Sequence, residues 1–333
     1  MITADSNLSP GLSVIVPVYN SQESLPLLVE RLEPVLEATD QPYELILVND
    51  GSRDKSWEVI GQLCARNSWV RGIDLMRNHG QHNALLCAIR AASYTTAVTI
   101  DDDLQNPPEE IPKLLEVLAS GNDVVYGTPE SEQHGLLRDL ASQITKMVLQ
   151  GAMGASTARR VSAFRAFRTE IRRAFLDYKS PYVSIDVLLT WGTTKFSAIT
   201  VRHEPRQIGR SNYTVRKLIT HALNMMTGFS IMPLQLAGLL GFSFAVFGMA
   251  VLAYVLGRYL LSGEHVAGFA FLASIIAIFS GAQMFALGII GEYLARMHVR
   301  SMERPAYTVR HSVGLPEPRV MNSEPSEMSA GLP

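Results

Sequence analysis

Only two cysteines occur in the 333 residues, Cys64 and Cys87. They are too few for a disulfide framework and have no metal-ligand spacing, so both are expected to be reduced and buried. Charge is also scarce. Asp, Glu, Lys and Arg make up 18% of the chain, against about a quarter in an ordinary soluble domain. With 47% hydrophobic residues and a mean hydropathy of +0.12, disordered and collagen-like chains are excluded. The formal net charge of −2 carries no nucleic-acid footprint, and no nucleic-acid partner is expected. No G-x-G-x-x-G follows the first apolar run and no G-x-x-x-x-G-K-[ST] exists, which removes the dinucleotide-binding and P-loop classes. Residues 1–10 are polar and lack the apolar core of a signal peptide.

The apolar excess is concentrated late in the chain. Leu218 to Gly257 contains no Asp, Glu, Lys or Arg, and Tyr259 to Gly291 contains only Glu264. Each stretch exceeds the roughly 20 residues that cross a bilayer core. The expected spans are Leu234–Leu256 and Phe269–Ile290, forming a hairpin within residues 232–292. Basic residues flank it on both outer sides: Arg202, Arg206, Arg210, Arg216 and Lys217 before, Arg296, Arg300, Arg304 and Arg310 after. By the positive-inside rule both termini and the large N-terminal domain are expected in the cytoplasm, on a multi-pass inner (plasma) membrane protein. Residues 293–310 read as a cytoplasmic basic segment, and residues 311–333, rich in Pro, Ser, Glu and Met, as a disordered tail.

After a tail of residues 1–11, the chain alternates two periodicities. Short apolar runs at Leu12–Tyr19, Tyr43–Asp50, Val70–Met76, Ala97–Asp101 and Asp123–Tyr126 read as strands. Helical patterns at Leu25–Ala38, Lys55–Arg66, Asn83–Ala92 and Ile111–Ala119 separate them. The alternation predicts an α/β fold with a mostly parallel sheet and helices on both faces. Ligands of such sheets lie at the carboxyl ends of the strands. Those ends carry Pro17-Val18-Tyr19-Asn20, Asn49-Asp50-Gly51-Ser52 and Asp101-Asp102-Asp103-Leu104-Gln105. Three consecutive aspartates repel one another unless a hard divalent cation binds, and Mg²⁺ takes oxygen ligands together with substrate phosphates. In an extended segment Asp101 and Asp103 share a face with Gln105 next in line, while Asp102 points away. Taken alone, the run also reads as a solvated acidic turn.

Two further segments have apolar residues on one helical face: Leu137, Leu140, Ile144, Met147 and Val148, and Val215, Leu218, Ile219, Ala222, Leu223 and Met226. Both are expected as interfacial amphipathic helices lying flat on the membrane, the second, in residues 214–231, leading into the hairpin. His79, His82, His203 and His221 are scattered and read as structural or exposed.

VIVPVYN at 14–20, VNDGS at 48–52, RNHGQHNAL at 77–85 and DDDLQNPPEEIP at 101–112 together resemble a family 2 glycosyltransferase. The similarity is to the polyprenyl-phosphate branch that contains dolichyl-phosphate mannose synthase, and it covers about residues 12–305. It implies a GT-A type, Rossmann-like catalytic domain over residues 12–213. It implies a nucleotide-sugar donor, a polyprenyl phosphate acceptor (undecaprenyl phosphate for a bacterial chain), Mg²⁺ or Mn²⁺ as cofactor, and an inverting transfer for the cell envelope. By position, Pro17, Tyr19, Asn20 and Asp50 correspond to the nucleoside side of the donor site. Asp101, Asp103 and Gln105 correspond to the metal ligands, with Asp101 and Asp102 also beside the donor and Asp103 catalytic. Arg138 and Ser142 correspond to residues that meet the lipid phosphate. Arg206–Tyr213 (RQIGRSNY) corresponds to a loop closing over the donor diphosphate, with Arg206 catalytic and Arg210 and Ser211 donor-binding. The resemblance also allows a homo-oligomer; the chain itself specifies none.

Three positions depart from the family pattern. Pro129 follows Gly127-Thr128 where the family has Arg. Asn212 replaces a Lys. Arg159-Arg160 stands where an acidic residue is usual before Phe164-Arg165. A lipid phosphate is already anionic near neutral pH, whereas a sugar hydroxyl needs a base, so the missing acid leans towards a phosphate acceptor. Glu204 and Asp186 are the remaining candidates for a base. The competing readings are transfer to a hydroxyl of a lipid-linked sugar or glycolipid, and a silent membrane partner of another transferase.

Overall fold

The computed structural model describes residues 8–129, 160–205, 232–262 and 268–314. The strands form one eight-stranded sheet in the order β7-β5-β6-β4-β1-β2-β3-β8. Its strands are β1 Ser9–Val18, β2 Tyr43–Asn49, β3 Val70–Leu75, β4 Tyr94–Thr99, β5 Val124–Pro129, β6 Arg165–Arg168, β7 Phe196–Val201 and β8 Val309–Val313. The helices between them are α1 Ser24–Glu37, α2 Ser56–Arg66, α3 Gln81–Ala91, α4 Ile111–Ala119 and α5 Ile185–Gly192. β1, β2, β3 and β4 run parallel, as do β5 and β7. β6 is antiparallel to β4 and β5, and β8 antiparallel to β3.

β1 is central, and Leu12 through Val18 are all buried, as a strand covered on both faces requires. One face packs against α3 and α5 through residues such as Ile15, Ile46, Leu85 and Leu188. The other packs against α1, α2 and α4 through Val14, Leu28, Ile60 and Leu114.

The sheet changes direction of growth between β1 and β4, and there the strands separate. Pro17 sits two residues past Ile15, whose carbonyl accepts from Ile100 on the β4 side. Proline has no N–H to continue that ladder, and pairing of β1 with β4 ends at Ile15↔Thr99. β2 stays paired with β1 to Val18. The resulting opening is the switch point at which open α/β sheets bind ligands.

Two helices, α6 Met232–Ser262 and α7 Phe269–Ser301, are long and apolar enough to cross a membrane. They face each other through Phe244 and Phe279, whose rings meet edge to face at 5.5 Å. α7 continues well past Ile290, the expected end of its span, and takes up much of the segment expected to be merely basic. The chain then returns to the sheet. Ala306 is buried, Met76 N donates to Thr308 O at 2.9 Å, and β8 pairs with β3 from Leu75↔Val309 to Gly72↔Val313. Residues 311–313, expected in a disordered tail, therefore belong to an edge strand. The free edge of β3 supplies backbone partners that composition does not record.

The cysteines are both free thiols, but only Cys87 is buried; Cys64 is half-buried on α2.

Candidate active site

The mouth of the opening is built from the segments that follow β1, β2, β3, β4 and β7, and residues 101–105 are the hub. β4 ends at Thr99, so the three aspartates lie in a turn rather than in extended chain. Leu104 takes a left-handed φ of 60°, a conformation costing a non-glycine residue roughly 1–2 kcal/mol. Its side chain is 1% exposed in the core, and that burial holds the turn.

The turn changes the expected directions of the carboxylates. Asp101 Oδ1 accepts from Gln81 Nε2 at 2.7 Å, which joins it to the start of α3. Asp102, expected to point away, accepts from Tyr19 N at 3.4 Å and from the Ser21 hydroxyl. It thus fastens the β1–α1 loop, with Tyr19 and Asn20, beside the turn. Asp103 Oδ1 accepts from Gln105 N at 3.1 Å.

Gln105 faces the segment after β7. Its Nε2 lies 3.4 Å from His203 Nε2, and its carbonyl accepts from Glu204 N at 2.8 Å. His203 is the residue that sequence spacing missed, because 98 positions separate it from Gln105. The segment is braced by charge. Arg31 donates to both Glu204 oxygens at 3.3 Å and to Glu109 at 2.9 and 3.2 Å. Arg202 pairs with the buried Glu110 at 2.7 Å. Burial alone would raise the Glu109 carboxyl, but the Arg31 guanidinium, a backbone hydrogen bond and the charge of Arg202 together hold the group below its ordinary range.

On the β2 side, Asp50 is 3% exposed. Its two oxygens accept from the backbone N–H groups of His79 at 2.6 Å and Gly80 at 2.8 Å. Burial pushes this carboxyl up, and those hydrogen bonds oppose the rise. Gly51 has φ +64°, and a Cβ there would stand 2.5 Å from Asn78 N. The turn after β2 therefore requires glycine so that it can pass against the chain at 77–78.

The turn fits a divalent cation through its donor set. Asp101, Asp103 and Gln105 offer carboxylate and carboxamide oxygens, the ligands that Mg²⁺ and Mn²⁺ prefer. Among the described residues no three His, Cys, Asp or Glu side chains converge closely enough to hold a metal ion by themselves. A cation at this turn would need further oxygen ligands, of the kind that substrate phosphates supply.

The two candidate bases are both engaged. Glu204 is paired with Arg31. Asp186 is buried against Arg165 and accepts from Tyr126 OH at 3.1 Å. Arg160 bonds Thr128 and Thr200 at the ends of β5 and β7. Arg138, Ser142, Arg159, Arg206, Arg210 and Ser211 lie outside the described residues, as do both expected interfacial helices.

A model described as Glycosyl transferase family 2 matches residues 13–176. The chain is similar to the undecaprenyl-phosphate 4-deoxy-4-formamido-L-arabinose transferase of Yersinia enterocolitica serotype O:8 / biotype 1B, with 37% identity over 93% of this chain and 96% of that protein. It is similar to the transferase of the same name from Serratia proteamaculans (strain 568), with 37% identity over 91% of this chain and 94% of that protein. Among solved structures it is similar to glucosyl-3-phosphoglycerate synthase from Mycobacterium tuberculosis in complex with Mn²⁺, UDP and glucosyl-3-phosphoglycerate. That match has a TM-score of 0.47 and 17% identity, covering 66% of this chain and 78% of that one. Family motifs at the strand ends and relatedness over nine-tenths of the chain agree: the protein is a glycosyltransferase of family 2.

Proposed function

We propose that the protein transfers a sugar from a nucleotide-sugar to a polyprenyl phosphate, undecaprenyl phosphate by analogy with its relatives, at the cytoplasmic face of the membrane. The observation that carries this reading is the hub at residues 101–105. It bonds the Tyr19 loop, the start of α3 and the His203 segment together at one mouth. Pro17, Tyr19, Asn20 and Asp50 hold the nucleoside side of the donor. Asp101, Asp103 and Gln105 hold Mg²⁺ or Mn²⁺, with His203 beside them. When bound, the cation supplies positive charge against the diphosphate leaving group. Arg206, Arg210 and Ser211 close over that diphosphate, arginine being suited to phosphate by its planar fork. Arg138 and Ser142 meet the acceptor phosphate.

In the reaction an acceptor phosphate oxygen forms a bond to the anomeric carbon as the bond from that carbon to the donor diphosphate breaks, with inversion. The nucleoside diphosphate leaves with the electron pair. No proton has to be removed from a phosphate already ionised near pH 7. The engagement of Asp186 and Glu204 in ion pairs supports a reaction without a protein base.

The test is a product assay by mass spectrometry, with the purified full chain in detergent, polyprenyl phosphate, Mg²⁺ or Mn²⁺ and a panel of nucleotide-sugars. A polyprenyl-phosphate sugar is the expected product. Donor binding with transfer only to hydroxyl acceptors overturns the phosphate assignment. Folded protein with neither binding nor product overturns the enzymatic reading of the site.

Arg31 braces the segment that leads to Arg206, so Arg31→Ala is expected to act on donor binding. The pair is partly exposed, and such pairs contribute up to about 1 kcal/mol. The KM for the nucleotide-sugar should rise about fivefold with a smaller change in kcat. Steady-state kinetics with varied donor checks this, and an unchanged KM removes the brace from the donor site.

A further inference from the structure

We infer that the loop Ser180–Ser184, through Tyr182, rests in the headgroup layer of the bilayer and holds the catalytic mouth beside it. The inference rests on the reading of α7 as a membrane span. Phe269–Gly291 is 23 residues without a charge, about 34 Å of helix. That length fills a hydrocarbon core of about 30 Å, so the core ends near Glu292. Arg296 lies one turn further on, about 6 Å beyond that edge. The headgroup layer occupies about 5–8 Å on each side of the core.

Arg296 fixes the catalytic domain at this height. Its guanidinium stands 5.1 Å from the centre of the Tyr182 ring, within cation–π range, and its Nε donates to Glu292 at 3.0 Å. Tyr182 is 39% exposed, one of few large apolar side chains so placed on the catalytic domain. Tyrosine is enriched at the level where membrane meets water, because its ring is apolar and its hydroxyl polar. Two further contacts brace the loop. Tyr182 O accepts from Tyr178 OH at 2.6 Å, and Lys179 pairs with Glu303 past the end of α7 at 3.0 Å.

The same loop reaches the catalytic mouth. Pro181 O accepts from Asn83 at 3.2 Å, and Ile185 N donates to His82 Nδ1 at 3.3 Å. Both partners follow Gln81, which holds Asp101. A short chain of contacts thus runs from the headgroup level to the carboxylate turn.

Site-directed spin labelling of the full chain in phosphatidylcholine–phosphatidylglycerol vesicles tests this. Burial pushes the native thiols up, Cys64 to about 11 and Cys87 to about 12, so an added exposed cysteine is labelled selectively. Labels are placed at Tyr182→Cys, at Leu287→Cys within α7 and at Glu58→Cys on α2, and collisions with oxygen and a nickel chelate are compared. The expected result is a Leu287 label in lipid and a Tyr182 label at least threefold less accessible to nickel than the Glu58 label. A Leu287 label in lipid with Tyr182 as accessible as Glu58 overturns the inference and leaves the membrane span standing. A Leu287 label in water overturns both. Tyr182→Trp, read as added fluorescence quenching by brominated lipids relative to wild type, gives the same decision with an aromatic ring retained.

Discussion

Replacing Asp103 with alanine is expected to lower turnover about 10³-fold, the scale of losing one group that stabilises charge in a transition state. Asp103 belongs to the only turn among the described residues that gathers carboxylate and carboxamide oxygens at the β1–β4 opening, and its own Oδ1 shapes that turn through Gln105 N. The variant should also lose the Mn²⁺-dependent part of nucleotide-sugar binding, measured by calorimetry in detergent. Asp102→Ala is the instructive contrast. Asp102 is bonded to Ser21 and Tyr19, so its loss should loosen the β1–α1 loop and weaken donor binding without removing a cation ligand. Wild-type turnover in the Asp103 variant would strike Asp103 from the metal set.

The second large effect is on stability. Arg165 and Asp186 form an ion pair with side chains 2% and 11% exposed. Arg165 also donates to Thr99 Oγ1 at 3.2 Å at the end of β4, and Tyr126 OH completes the group. Asp186→Ala leaves a guanidinium buried without its counter-charge, which costs about 3–5 kcal/mol. The midpoint of thermal unfolding of the full chain in detergent should fall by about 10 °C. Replacing both partners by apolar residues of similar volume should recover much of that loss, because the desolvation of both charges disappears together. An unchanged midpoint for Asp186→Ala would mean that water reaches the guanidinium.

The alternating half of the fold was legible because its signals are local. Apolar runs such as LSVIVPV and LILV give strands buried on both faces, and the spacing of Leu25, Leu28, Leu32 and Leu36 gives a helix with one buried stripe. What escaped depends on partners far away in the chain. β6 reads RAFR and carries two arginines, yet Arg165 is buried because Asp186 and Thr99 meet it there. β8 is exposed along its whole length and exists because β3 has an open edge. At the site, the residue types were legible and their directions were not. The left-handed Leu104 turns an apparent strand end into a loop, which sends Asp102 to Ser21 instead of to solvent. His203 carries no signal until β7 brings it beside Gln105.

The return of the chain to β3 has a consequence for how the molecule is made. Among the described residues, 9–201 contain every other strand of the sheet, but the strand that covers β3 is synthesised only after both long apolar helices. Until residues 309–313 leave the ribosome, β3 presents an open edge of unpaired backbone groups, the kind of surface on which chains aggregate. Completion of the sheet is therefore timed by completion of the hairpin. A fragment cut before α6 would carry the carboxylate turn but lack the strand that covers β3.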